Sequence, residues 1–366
     1  MINTVASIFI IGLSGLLAFL TLVPFSKIPH GLVRAPAFVR LQMLATALVL
    51  LPFAWVLTSD GWRIFSLLCL VVVIAVCTAS VLKFTPLWPK QSKSAEAALM
   101  TDTDRHIHML AANVKMSNRE YDHLIALARR EQPDVLAALE TDQRWIDALA
   151  VLEPDYIHRY DVPHDTGYGM MLYSKLPLKD VQIRDLVTKG VPSIKATVTL
   201  RSGDEICLYI VHPEPPVAHE KTTGRDSEIA LAGLEAIDGP LPAIIAGDLN
   251  DVAWSTTTRR FQRVTGLLDP RVGRGFYNTF NAYVPVFRWP LDHLFHDARF
   301  RFVQMQRMPK IGSDHFPISF KLVLAHRPAG EAPTPEEGET EDVTEMIVEE
   351  QARDRDPVGT DWEDEK

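Results

Sequence analysis

The chain has 366 residues, 47% apolar and 23% charged, a balance that excludes wholesale disorder and predicts two or three regions. Its formal charge of −9 is uneven: residues 327–366 hold 15 acidic and 4 basic side chains, a net of −11, which leaves +2 on the rest. Cys69, Cys77 and Cys207 are too few and too scattered for a disulfide framework or a thiolate zinc site.

Residues 1–85 read as a membrane region. Residues 5–25 carry no charge and are long enough to cross a hydrocarbon core of about 30 Å as a helix. Residues 41–57 form a second apolar run, broken by Gln42, Thr46 and Pro52, and residues 64–82 form a third. A cleaved signal peptide fits poorly, because no basic stretch precedes Val5 and two more runs follow. Three such runs so close together also argue against a buried hairpin of a soluble protein. Lys27, Arg34 and Arg40 lie between the first two runs and Lys83, Lys90 and Lys93 after the third, against Arg63 alone on the opposite side. This excess predicts an external N-terminus, with the first loop and everything beyond Leu82 cytoplasmic, in a multi-pass bacterial inner or plasma membrane.

Residues 86–103, with Pro86 and Pro89 followed by Lys, Ser, Glu and Ala, read as a linker, and the Pro/Glu-rich 326–366 as a disordered acidic tail. Between them, 104–325 alternates strand-like runs with amphipathic helices. A strand is predicted over 106–112. A helix follows, with Ser117 and Glu120 as its capping box and Tyr121, Leu124, Ile125 and Ala128 on its apolar face, stopped by Pro133. "DVLAAL" is the next buried strand, and Thr141 caps a second helix. Further strands are expected at 169–174, 193–200, 205–211, 242–247 and 317–324, with helices near 225–237 and 255–265. The alternation predicts an α/β or α+β layered domain.

The ends of these strands carry the chemical signal. "HMLAAN" ends in Asn113, "DVLAALE" in Glu140, "CLYIVH" in His212 and "AIIAGD" in Asp248. One carboxylate at a strand end is ordinarily the first solvated loop residue; four polar ends in succession, followed by "GDLND", "PLDHLFH" and "GSDHFPI", are not so easily dismissed. Asn113, Glu140, His212, Asp248, Asn250, Asp292, Asp314 and His315 form a set of hard oxygen donors and imidazoles without thiols, suited to magnesium and acid–base chemistry rather than structural zinc.

This pattern resembles the endonuclease/exonuclease/phosphatase superfamily with the deoxyribonuclease-I-like fold. The resemblance covers essentially all of 104–325 and rests on "GDLN" after a buried strand, "LDH" in the next-to-last strand and "GSDHFPI" near the domain's end, with Asn113, Glu140, the "GYGMMLYSK" strand and His212 in order. It implies a four-layer α/β/β/α sandwich of two packed mixed sheets flanked by helices, here preceded by three transmembrane helices. It also implies hydrolysis of phosphate esters with Mg2+ or Mn2+. Glu140 is then the expected metal carboxylate, Asn113 orients it or lends an amide oxygen, and Asp314 completes the shell; capping of its own turn is the ordinary alternative for Asn113. Asp248 positions or deprotonates the attacking water, and Asn250 supports Asp248 or the phosphate. His212 and His315 donate to phosphoryl oxygens, and Asp292 fixes the tautomer of His315. Whether Asp248 or the Asp292–His315 pair is the base stays open.

His106 and His108 share a strand face and read as satisfied structural residues, while His293 and His296 fall outside the motif. Trp254 reads equally as a stacking or a packing residue. Arg259, Arg260, Arg263, Arg271 and Arg274 can track a phosphate backbone, but the near-neutral domain favours a solvated face. The expected activity is a membrane-anchored phosphoesterase acting on nucleic acid, a lipid head group or an inositol-type phosphate, with the membrane its partner through three helices and no protein partner predicted. The alternative is a catalytically silent, membrane-tethered docking module that retains the fold.

Overall fold

A charge-free run has no polar partner for its backbone except itself, and each of the three coils into a helix. In the computed structural model, which describes residues 2–325, 327–330 and 332–360, α1 (Ile2–Leu22), the short α2 (Gly31–Arg34), α3 (Arg40–Leu57) and α4 (Asp60–Val81) open the chain. The three long helices are apolar enough to cross a membrane. Leu17, Ala47, Ala54, Leu70, Val73 and Cys77 form their common seam, where small Ala47 and Ala54 let the backbones approach. Phe9, Phe19, Val49, Phe53, Ile64 and Leu68 face outward.

The segment expected to be a loose linker runs along the domain instead. The Ser92 hydroxyl lies 2.8 Å from His296 Nε2, Gln91 Oε1 accepts from Asp269 N at 2.9 Å, and Ala95 N donates to Phe302 O at 2.8 Å. It ends in α5 (Ala97–Thr101).

Eleven strands are present among the described residues. They are β1 (His106–Asn113), β2 (Val135–Leu139), β3 (His158–Val162), β4 (Met170–Ser174), β5 (Leu178–Asp185), β6 (Pro192–Thr199), β7 (Glu205–Val211), β8 (Ala243–Asp248), β9 (Asp292–His296), β10 (Phe300–Arg307) and β11 (Ile318–Leu324). One sheet has the order β10-β11-β1-β2-β4-β3 and the other β5-β6-β7-β8-β9. β1 pairs in parallel with β2, and β7 with β8; the remaining pairs are antiparallel.

Both faces of the central strands are apolar because both are covered. Met109 and Ala111 of β1 meet Leu208 and Ile210 of β7 between the sheets. On the outer side, Leu110 and Ala112 pack under α6 (Tyr121–Glu131) and α7 (Gln143–Leu149). Tyr209 and Val211 pack under α8 (Thr223–Asp238) and α9 (Thr256–Thr265). The result is the expected α/β/β/α sandwich.

Several local expectations change. No Ser117–Glu120 box forms: α6 starts at Tyr121 and Asn118 Oδ1 accepts from Glu120 N, because the asparagine side chain closes a turn that precedes the helix. Asp142 rather than Thr141 caps α7, accepting from Trp145 N at 2.9 Å. "LDH" opens the third strand from the end, since β10 intervenes. The acidic tail carries α10 (Glu339–Gln351), whose Val343 and Ile347 close over Ala230 and Val264; a two-residue apolar stripe amid glutamates suffices once a partner face exists.

Arg271 ties β9 to the loop before it. Its side chain is fully buried, donates Nε to Asp269 Oδ1 at 2.9 Å and Nη2 to Asp269 Oδ2 at 2.8 Å, and lies 2.6 Å from His293 Nδ1. Arg271→Met should destabilise the protein by roughly 3–5 kcal/mol, since it strands a buried carboxylate. Thermal unfolding of the detergent-solubilised chain measures this, and a Tm within a degree of wild type would contradict it.

Candidate active site

Chain direction assembles the site. The parallel pairs end β1 and β2 together, and β7 and β8 together. β9 and β11 run the opposite way, so they begin where the others finish: Asp292 is in register with Asp248, and Ile318 with Ala111. Asn113, Glu140, His212 and Asp248 at strand ends therefore meet Asp292, Asp314 and His315 at strand beginnings.

A continuous chain of contacts joins Asn113, Glu140, Asp248, Asp292 and His315. His315 Nδ1 lies 2.8 Å from Asp292 Oδ2, and its Nε2 lies 3.4 Å from Asp248 Oδ2. Asn113 Nδ2 donates to Asp248 Oδ2 at 3.0 Å and to Glu140 Oε1 at 2.6 Å, while its Oδ1 accepts from Lys115 N at 3.0 Å. The amide therefore presents its donor to the carboxylates, while its oxygen closes the turn that follows β1. Asn250 N donates to Asp248 Oδ1 at 3.0 Å, and Asn250 Nδ2 to Pro213 O at 2.9 Å.

Glu140 and Asn250 both occupy the left-handed region, with φ of 61° and 54°. Such backbone costs of order 1 kcal/mol or more and is kept where the surroundings enforce it. Here Arg225 does so for the "GDLND" turn, donating to Asn250 O at 3.0 Å while paired with buried Asp226. Gly247, with φ of 146°, lies where any Cβ would strike the backbone oxygen of Val211 on the neighbouring strand.

The electrostatics differ along the chain of contacts. Burial by itself disfavours a charged His315, but Asp292 and Asp248 outweigh it and hold the imidazolium up to about 10. Burial pushes Glu140 above the ordinary carboxylate range, partly opposed by His212 and Asn113. Asp248, Asp292 and His315 present ligand-type atoms within 4.8 Å of one another. Both imidazole nitrogens of His315 already face carboxylates, however, so that group is an ion-paired relay rather than a ready cation site.

A cleft of about 290 Å³ opens above it, lined by Lys115, Glu140, Tyr168, His212, Asn250 and Asp314. Glu140 faces it with Oε1 on the Asn113 amide and Oε2 3.4 Å from Met116 N. This oxygen-rich, thiol-free lining, with a half-buried carboxylate made uncomfortable by desolvation, fits a hard divalent cation. Asp314 stands apart from the relay, with Oδ2 2.8 Å from Lys115 Nζ. His212 Nδ1 is buried without a hydrogen-bond partner among the described residues, and its ring lies 6.1 Å from that of Tyr168.

The last described residues complete one wall. Val358 and Gly359 line the cleft, held by Arg355 on Glu214 at 2.6 and 2.7 Å, by Val358 N on Glu214 Oε1 at 2.8 Å, and by the Tyr168 hydroxyl donating to Val358 O. Sequence reasoning missed this wall, Arg225 and Lys115. Lys115 alone carried a signal, two residues past Asn113.

The remaining candidates are structural. His108 Nε2 sits 2.8 Å from Ser319 Oγ, and His106 Nε2 2.8 Å from Leu99 O. His293 and His296 are buried and hydrogen-bonded to Asp251 O and Ser92. Trp254 is fully buried between Phe84 and Phe276 and donates to Ala37 O at 2.7 Å. Arg263 pairs with Glu339, and Arg274 covers Phe302 and donates to Ser92 O, so the basic cluster is consumed internally.

Residues 110–315 match the model of the Endonuclease/Exonuclease/phosphatase family, and the chain belongs to that family. No curated protein matches the full sequence. Among solved structures, D. rerio TDP2 complexed with a single-strand DNA product is similar at 18% identity, covering 59% of this chain and 98% of that one with a TM-score of 0.51. The human Nocturnin catalytic domain with bound sulfate is similar at 13% identity, covering 60% and 95%, also with a TM-score of 0.51. These likenesses establish the fold. Members of the family are generally phosphoesterases.

Because His315 titrates near 10 in the folded chain against about 6.5 unfolded, its contribution to stability is complete below pH 6.5 and is lost as pH rises through 10. Wild type should therefore lose more Tm between pH 6.5 and 10 than His315→Gln does. Parallel losses in the two proteins would contradict the charged relay.

Proposed function

We propose that the chain is a membrane-anchored, divalent-metal-dependent phosphoesterase. The observation carrying this reading is the convergence of Asn113, Glu140, Asp248, Asp292 and His315 in one bonded chain beside a cleft lined by Glu140, His212 and Asn250. A silent docking module has no need of buried carboxylates at such proximity, which cost stability wherever they stay charged.

Glu140 and Asp314 would hold a Mg2+ or Mn2+ ion, with Asn113 fixing the Glu140 carboxylate. Such an ion, when bound, neutralises charge on a non-bridging phosphate oxygen. Asp248, with Oδ1 secured by Asn250 N, is the residue that would position the attacking water. His315, kept protonated by Asp292, places a positive charge beside Asp248 that would stabilise negative charge growing in the transition state. The unpartnered Nδ1 of His212 offers a second hydrogen-bonding position toward a phosphoryl oxygen. Anchorage follows from the three apolar helices, and the excess of Lys and Arg beside them supports a cytoplasmic catalytic domain in a bacterial inner or plasma membrane.

The test uses the full chain in detergent with a p-nitrophenyl phosphodiester and the matching monoester, in Mg2+, Mn2+ or chelator. Turnover should require metal, and should fall on the order of a hundredfold or more in Glu140→Gln and in His315→Ala. Wild-type rates in both variants would defeat these assignments, and no metal-dependent turnover of either ester would favour the silent module.

The metal site also predicts a stability effect. Mg2+ or Mn2+ should raise the Tm of wild type by mass action, whereas Glu140→Gln should raise the metal-free Tm and erase the increment. Equal increments in the two proteins would place the ion elsewhere.

A further inference from the structure

The domain sits against one end of the helical bundle through two loops beside the cleft, one that includes the lining residue Pro215 and one hydrogen-bonded to the lining residue Asp314. On one side, the segment that follows cleft residue Pro215 meets the loop between the first two spans: Gly31 N donates to Glu220 O at 2.8 Å and Leu32 N to Ala218 O at 2.9 Å. On the other side, Val286 O accepts from Gln42 Nε2 at 2.6 Å, two residues into α3. This second loop is bonded directly to the site. Ala282 N donates to Asp314 O at 2.7 Å, and the Tyr283 hydroxyl donates to Gly312 O.

A row of rings joins the membrane-proximal segment to the relay. Phe38, between the first two spans, meets Trp289 edge-on at 5.8 Å; Trp289 stacks on Phe280 at 5.8 Å; and Phe280 lies 4.9 Å from His315. The tip of the same loop is apolar and bare: Tyr283, Val284, Val286 and Phe287 are 53%, 42%, 68% and 47% exposed. Lys310 Nζ lies over the Tyr283 ring at 4.9 Å. Aromatic and aliphatic tips flanked by a cation, continuous with the end of an apolar span, are the composition of a bilayer interface.

We infer that the 283–287 loop lies in the headgroup layer of the membrane crossed by α1, α3 and α4, and that the substrate is a phosphate ester carried on a lipid of that membrane. The inference rests on the phosphoesterase reading for its substrate half. The lipid enters between the 215–220 loop and the 283–287 loop, so its phosphate reaches Glu140 and His212 without leaving the surface. Arg263 and Arg271 are paired with Glu339 and Asp269, and Arg274 is turned onto Ser92 O, which leaves less of the basic track that a long nucleic acid would need.

The full-length chain is reconstituted in phosphatidylcholine nanodiscs containing phosphatidic acid or phosphatidylglycerol, with Mg2+ or Mn2+. Controls are a water-soluble p-nitrophenyl ester and a single-stranded oligonucleotide. Wild type should hydrolyse one of the two lipids faster than the oligonucleotide. Val284→Asp and Val286→Asp should lower the lipid rate roughly tenfold or more while leaving the soluble ester unchanged. A polarity-sensitive fluorophore on Val286→Cys, in a Cys69→Ala background, should report an apolar environment in nanodiscs. Hydrolysis of the soluble ester or oligonucleotide without either lipid would overturn the substrate half and spare the phosphoesterase reading. Failure on every ester would bring down that reading and the substrate half with it. A fluorophore in water would overturn the surface half whatever the turnover.

Discussion

Two parallel strand pairs, β1 with β2 and β7 with β8, carry the chain toward the same edge of the sandwich from both sheets. Parallel strands require long crossovers, and α6, α8 and their loops supply them. The antiparallel neighbours β9 and β11 then necessarily start at that edge. Asp292 and His315 reach Asp248 and Asn113 because of direction and register, although as many as 202 positions separate them in sequence.

Collecting carboxylates at one buried edge is electrostatically expensive, and the surrounding structure is arranged to offset it. Asn113 divides its two N–H groups between Glu140 and Asp248, and His315 stands between Asp248 and Asp292 as a shared cation. Behind them, Arg225 and Arg271 are fully enclosed and neutralise Asp226, Asp251 and Asp269. Their role is to fix the two turns, after β8 and before β9, on which Asp248 and Asp292 depend.

The central strands were legible because they are apolar on both faces: 106–112, 205–211 and 317–324 differ from β1, β7 and β11 by at most a residue at either end. β3, β5 and β10 escaped notice for the converse reason. They are edge strands, and β5 alternates charge and polarity (Lys179, Asp180, Gln182, Arg184), as a strand with an unpaired side must to avoid pairing with other chains. Four of the eight candidate residues were readable from strand ends and four from the motifs "GDLND", "PLDHLFH" and "GSDHFPI", and the structure brings Asn113, Glu140, Asp248, Asp292 and His315 together. It sets Asp314 on Lys115 instead. The wall built by Val358 was not readable, since an acidic Pro-rich stretch gives no hint that Arg355 will find Glu214, a partner 141 residues away.

The indole of Trp254, deep in the sandwich's flank, has its hydrogen bond and part of its cover from the polypeptide between the first two spans, and its other neighbour Phe84 comes from just beyond the third. Helical bundle and sandwich thus share one interior. Excising the globular half at residue 100 would bare that indole and take Ser92 from His296 and Gln91 from Asp269. The amputated piece would be a wounded body rather than a module set free, so biochemistry on this chain belongs with its apolar helices attached.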